Sequence, residues 1–179
     1  MIHADHVNLL RGGTRDDATI GGVWADFGSG SGAFTLALAD LIGPTGVIHS
    51  IDRDADALKQ QARSMRDRFP TTLVYYHTAD FTCPLPDSLP ALDGIVMANA
   101  LHFHRDQEPI VRLLKSYLSS QGKLILVEYN IEQGNSAVPY PISYGLWGDL
   151  AKRSGFTHTR LLATRPSRFL KEIYSAVSW

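Results

Sequence analysis

One cysteine, Cys83, stands in 179 residues. An internal disulfide is therefore excluded, and with no Cys/His grouping at zinc-ligand spacing a bound metal is not expected either. This usage fits a reducing compartment, the cytoplasm. Charge of a dominant sign is also missing: 17 Lys and Arg face 18 Asp and Glu, for a net charge of −1, and neither sign gathers into a run. No electrostatic footprint for a nucleic-acid backbone or an anionic membrane surface results, which leaves a small molecule as the expected partner. Long apolar runs are absent, so no segment is fit to cross a bilayer, and the opening MIHADHVNLLRGG lacks the basic start and apolar stretch of a signal peptide. There is no internal repeat, low-complexity tract or linker.

What is present is 44% hydrophobic residues, enough for one domain over 1–179 that buries roughly two thirds of its unfolded surface. Short runs rich in Val and Ile alternate with stretches of helical period, the pattern of a parallel sheet covered by helices. GVWADF, GVIHSID, TTLVYYH, LDGIVMAN and GKLILVEY read as successive strands. Helices are expected over Ala33 to Leu41, Ala55 to Phe69 behind Asp54 as N-cap, Glu108 to Leu118 with Pro109 in its first turn, and Ser143 to Ser154 closed by Gly155. The prolines of DFTCPLPDSLPA predict an extended loop in place of a third crossover helix. FTHTRLLAT and RFLKEIYSAVSW then read as strands with too short a gap for a crossover, so the last strand should run antiparallel.

The densest chemical signal is WADFGSGSGAF, residues 24–34. A glycine-rich turn from strand to helix lets a ligand approach backbone N–H groups at a helix N-terminus. GSGSGA fits G-x-G-x-x-G/A, with Asp52 at the end of the second strand placed to accept from ribose hydroxyls. No lysine follows, which excludes a nucleotide-triphosphatase phosphate loop. Asp26, before the glycines, would repel a pyrophosphate and attract a ligand bearing an ammonium and a sulfonium. S-adenosylmethionine (SAM) is the natural candidate; a nicotinamide dinucleotide and an oxidoreductase are the competing reading.

At these residues the chain resembles the class I SAM-dependent methyltransferases, whose first motif is an acidic residue followed by G-x-G-x-G, as Asp26, Gly28, Gly30 and Gly32 are here. The resemblance extends through GPTGVIHSID and nearly the whole chain. It implies a Rossmann-like, doubly wound α/β sheet of seven strands, mostly parallel with an antiparallel last strand. It further implies that Gly28, Ser29 and Gly30 border the methionine part of SAM, that Asp52 holds the ribose and that Arg53 lies against the adenine. Asp80 is implied to meet the adenine amino group and Phe81 the ring edge, while Asn99 and Ala100 lie beside the amino acid portion.

NALHFHRD follows the fourth strand, and LHF is similar to the LHH-like stretch of related small-molecule methyltransferases; this singles out His102 as a catalytic base over His104. Glu128 and Tyr129 close the fifth strand, and Tyr140, Tyr144 and Trp147 either wall an acceptor pocket or fasten the following helix to the core. The family's Asn/Asp-Pro-Pro-aromatic stretch for amino-group methylation is replaced by NALH, which argues against nucleic acid. FGSGSGAFTLALADLIGPTG is nevertheless similar to a segment of tRNA adenine-N1 methyltransferases, so an RNA substrate stays open. So does a SAM-binding module that regulates a partner without turnover. The leader, residues 1–21, is short, which leaves three arrangements: an open pocket, a reduced cap formed by residues such as His6 and Leu10, or a second subunit that completes the pocket in a homodimer.

Overall fold

Apolar runs of five to seven residues with nothing to hydrogen-bond but backbone solve both problems at once by pairing side by side. In a computed structural model, which describes residues 1–14, 21–85, 89–167 and 169–179, they do so in one seven-stranded sheet of order β3-β2-β1-β4-β5-β7-β6. The strands are β1 (Val23–Phe27), β2 (Val47–Asp52), β3 (Leu73–Thr78), β4 (Leu92–Ala98), β5 (Leu118–Tyr129), β6 (Thr159–Pro166) and β7 (Glu172–Ser178). β3, β2, β1, β4 and β5 are mutually parallel, and β7 runs antiparallel to both β5 and β6. The reversed last strand expected from the short gap is thus present. Arg168, included in that reading of the last strand, lies outside the described residues.

The helices are α1 (His3–Thr14), α2 (Ala33–Ile42), α3 (Ala55–Arg68), α4 (Glu108–Tyr117) and α5 (Tyr144–Arg153). α3 starts where Asp54 accepts from the N–H groups of Asp56 and Ala57 at 2.9 and 3.0 Å, and α5 has Ser143 in the same role. DFTCPLPDSLPA forms no helix among its described residues; positions 86–88 of it lie outside them. No described helix is long and apolar enough to cross a membrane.

Two apolar layers sandwich the sheet. One joins Ala25, Phe27, Ile95, Leu126, Trp147 and Tyr174 on the α4–α5 side; the other joins Leu10, Trp24, Leu38, Ile48 and Val127 on the α1–α2 side. Trp147 is fully buried, so it fastens α5 to the core and walls no pocket, whereas Tyr140 is exposed. Tyr144 meets Tyr174 edge-on and its hydroxyl accepts from the N–H of Leu161. The described helix of the leader packs as core rather than as a cap: α1 lies on α2 and β6, Leu10 is wholly buried, and His6 meets the Phe34 ring at 4.8 Å. Neither residue lines the crevice described next, and residues 15–20 of the leader lie outside the described ones.

Candidate functional site

Five parallel strands end on one rim, and the loops leaving β1, β2, β3 and β4 enclose a crevice of about 540 Å³. A crevice at the carboxyl ends of parallel strands, where the order reverses beside β1, is where open α/β sheets bind ligands. Of the residues singled out in the sequence, Gly28, Asp52, Arg53, Asp80, Phe81, Asn99 and Ala100 line it. Asp54, Ala79, Phe103 and His104 line it as well.

The three glycines serve three ends. Gly28, Gly30 and Gly32 all have positive φ, at 75°, 52° and 91°, a region costly for a side-chain-bearing residue. A Cβ on Gly28 would stand 2.6 Å from that of Ala100, and one on Gly32 would stand 2.4 Å from Cγ of Gln61. At those two positions the excluded volume belongs to the protein itself. Only Gly30 faces open space, with nothing within 4 Å of its would-be Cβ. Ser29 is turned under the loop, its Oγ 2.7 Å from Oγ of Ser50, and does not line the crevice.

Asp52 accepts from the backbone N–H of Gly30 at 2.7 Å and of Asp54 at 2.8 Å, so its carboxylate ties the glycine turn to the end of β2 while still facing the crevice. After the neighbouring strand β3, Asp80 accepts from the N–H and the hydroxyl of Thr82, which hold its carboxyl below the usual carboxylate range. Phe81 beside it meets the His104 ring edge-on at 5.2 Å. Burial lowers the pKa of His104 against the opposing pull of Asp80, which favours a neutral imidazole near neutral pH.

Asp26 needs correction. It does not stand at the mouth of the crevice: it is 1% exposed, and its carboxylate accepts from the Thr35 hydroxyl of α2 at 2.5 Å. Burial raises its pKa to about 7, against the Thr35 hydrogen bond and with a smaller push from Asp52. A half-neutral carboxyl sealed under the turn cannot select ligand charge. That role falls to the crevice itself, where Asp52, Asp54 and Asp80 face the single guanidinium of Arg53.

Asn99 supplies an independent sign of a ligand. It holds a left-handed conformation, φ 51°, strained for a residue other than glycine, and its Oδ1 is buried with no hydrogen-bond partner among the described residues. An acceptor left without a partner beside the crevice wants a hydrogen-bond donor, neutral or charged. With that acceptor, the carboxylates of Asp52 and Asp80 and open space at Gly30, the crevice fits SAM, which carries hydroxyl, amino and ammonium donors.

His102 lies under the wall rather than in it. It is 2% exposed and belongs to the short 3-10 turn Leu101–Phe103. Its Nδ1 is 2.6 Å from Oε2 of Glu128, whose Oε1 accepts from the N–H groups of Leu101 and His102 at 3.2 and 3.3 Å. A carboxylate that already accepts two N–H groups takes Nδ1–H as a third donor, so the network assigns Nε2 as the acceptor nitrogen. Glu128 was the residue whose importance sequence reasoning passed over. Its signal was a carboxylate inside an apolar strand, where an unpaired charge is prohibitive.

A profile for a methyltransferase domain matches residues 21–155. In solved structures the fold is similar to that of a candidate O-methyltransferase from Nostoc punctiforme (16% identity, TM-score 0.74, 98% of this chain and 56% of that one). It is also similar to an arsenic(III) SAM methyltransferase from Chlamydomonas reinhardtii (16%, 0.71, 93% and 65%). The YcgJ protein of Bacillus subtilis matches end to end (12%, 0.76, 98% and 98%). This chain thus spans less than two thirds of the first two proteins and nearly all of the third. No curated protein matches it in sequence. With the profile covering most of the chain and the seven-stranded sheet closing on an antiparallel strand, the chain belongs to the class I SAM-dependent methyltransferase family, and SAM is its cofactor.

Proposed function

We propose that this protein, as one methyltransferase domain over 1–179, transfers a methyl group from SAM to a small-molecule acceptor. The observation that carries the reading is the convergence on one crevice of two carboxylates from the adjacent ends of β2 and β3, Asp52 and Asp80, with Asn99 after β4, whose Oδ1 has no partner among the described residues. When bound, SAM supplies an electrophilic methyl: the acceptor–methyl bond forms as the sulfur–methyl bond breaks, the bonding pair stays on sulfur, and the acceptor's proton leaves to a base. The chain's own residues hold and orient. Asp52 takes the ribose, Asp80 with Phe81 and Arg53 takes the adenine, and Gly28, Ala100 and Asn99 take the amino acid end. Asp26, Ser29, Gly30 and Gly32 act by shaping the turn that carries them.

His102 is the proton acceptor in this scheme, with Glu128 fixing its tautomer and ring orientation through the 2.6 Å hydrogen bond. The small-molecule class is supported by the balanced charge, with neither sign gathered into a run, and by the arsenic(III) substrate named for the algal protein of similar fold. An exposed thiol, Cys83, suits a reducing cytoplasm. A homodimer is the assembly we would look for.

One observation favours a second reading, a SAM-binding module without turnover: His102 is 2% exposed and reaches no crevice wall. Incubation with methyl-labelled SAM and a metabolite extract separates the two. Label in a low-molecular-mass product supports the enzyme. SAM binding with no labelled product supports the module, label in RNA overturns the small-molecule class, and tight NAD binding without SAM binding overturns both.

A further inference from the structure

β3 and β6 are the two edges of the sheet, and they are finished differently. β6 carries Arg160 and Arg165, ends on Pro166, shifts register between Leu161 and Ala163, and has α1 packed against it. Charge, proline, a bulge and a covering helix are the devices that keep an edge strand from pairing with another chain. β3, LVYYHT, has no Lys, Arg, Asp, Glu or Pro and pairs with β2 without a shift. Leu73, Tyr75 and Tyr76 stand 50%, 48% and 36% exposed on it. The N–H of Ala79, just past the strand, donates to the carbonyl of Asp52 at 3.0 Å. In a parallel pair alternate residues turn both backbone groups to the same neighbour, so Leu73, Tyr75 and His77 turn theirs to β2, and Val74, Tyr76 and Thr78 turn theirs to the open edge.

The two faces of this edge differ in charge. Leu73 and Tyr75 share one face with His49, whose ring stacks on that of Tyr75 at 5.1 Å and whose Nδ1 is 3.0 Å from Nε2 of His77. The connection that follows β3 puts no helix over that face in its described part. Val74 and Tyr76 are on the other face, in the layer that holds Met65 of α3. Burial raises the pKa of Tyr76, and the guanidinium of Arg66 nearby works against it. α3 has four cationic side chains against two acidic ones. Asp56 is taken by Lys59 at 2.8 Å, while Arg63 and Arg66 form no ion pair among the described residues. Asp80, which follows the strand, is committed to Thr82 and faces the crevice. The flank of the open edge is therefore cationic on the α3 side and apolar on the other.

We infer that the open edge of β3 docks an extended acidic segment of another protein, which joins the sheet as a further strand with its carboxylates toward Arg63 and Arg66 and its apolar side chains over Leu73 and Tyr75. Main-chain hydrogen bonds to Val74, Tyr76 and Thr78 hold the segment, and the charge on its α3 side selects it. A second copy of this chain fits less well: antiparallel self-pairing about a two-fold would bring Arg66, beside Tyr76 near the middle of the strand, toward its own image. Nothing in this docking depends on methyl transfer.

The test is amide hydrogen exchange by NMR on the whole chain with two short capped peptides, one alternating glutamate with valine and the other alternating lysine with valine. The glutamate peptide should protect the N–H groups of Val74, Tyr76 and Thr78 and bind about tenfold more tightly than the lysine peptide, a gap that narrows in high salt. Methylating the N–H groups of the peptide that face β3 should abolish the protection. Arg63→Glu with Arg66→Glu, both at exposed helix positions, should reverse the preference with the circular dichroism of the protein unchanged. Equal binding of the two peptides, protection centred away from β3, or an unmoved preference in the folded double variant each overturn the site. So does protection of the same three N–H groups without peptide, rising with protein concentration, which would give the edge to a second copy.

Discussion

Asp52 and Glu128 are two carboxylates in matching places, one ending β2 and the other one residue short of the end of β5, and each accepts two backbone N–H groups. They differ in what closes over them. Asp52 faces the crevice, whereas Glu128 is wholly buried and spends its remaining oxygen on His102. A strand-end carboxylate open to solvent has lone pairs to offer a ligand. The same group sealed in the core is committed to its own protein, because any partner it lacks costs the full desolvation of a charge. Under the function proposed above, the half of the rim around β1 to β3 holds the cofactor and the half around β5 positions His102.

Four substitutions break or sharpen this division. The largest effect is expected of His102→Ala, which should lower turnover roughly 10²- to 10⁴-fold with SAM affinity unchanged; a fall in affinity instead would move His102 to the holding half. Next, Glu128→Ala leaves the Nδ1–H and two N–H groups unpaired and should cost about 3 kcal/mol of stability in urea unfolding, again at constant SAM affinity. Asp52→Ala should do the reverse, weakening SAM binding about 10- to 100-fold through lost charge-assisted hydrogen bonds, with the unfolding midpoint nearly in place. A large stability loss there would show that its ties to Gly30 and Asp54 matter more than its open face.

The smallest effect concerns the third carboxyl, Asp26, which belongs to neither half. Its pKa is raised from 3.8 to about 7 in the folded protein. Between those values the native state keeps a proton that the unfolded chain has released, so its contribution to stability falls as pH rises through that window and is level above it. Asp26→Asn should remove this slope. Unfolding of both proteins at pH 5 and pH 7.5 checks it: wild type should gain on the variant at the lower pH, and parallel behaviour would mean that the buried carboxyl titrates normally.

Legibility in the sequence followed the range of the interactions. Strands came through because Val and Ile runs and their alternation with helical stretches are local, Asp52 because of its spacing from the glycine turn, and Asp80 through the family resemblance alone. α1 did not come through as a helix: HADHVNLLRGGT has two glycines and a weak stripe, and its order comes from lying on α2 and β6. β5 begins at Leu118, four residues before GKLILVEY, because Leu118 pairs with Leu92 across a register shift, which no local pattern announces. Asp26 misled for the same reason. Its partner Thr35 is nine residues on, and the burial that neutralises it belongs to the finished core. The His102–Glu128 pair spans 26 positions and only the packed rim brings it together.

The contact between Gly28 and Ala100 has a bearing on how deep a ligand can sit. With 2.6 Å between a would-be Cβ at 28 and that of Ala100, the ends of β1 and β4 meet without slack and act as a fixed stop at the back of the crevice. Phe81, whose Cε1 lies 3.2 Å from the same point, hangs instead from a stretch with no helix in its described part. Depth is thus set by the strand ends, and adjustment to the size of an occupant is left to the rings that the strands do not hold, Phe81, Phe103 and His104.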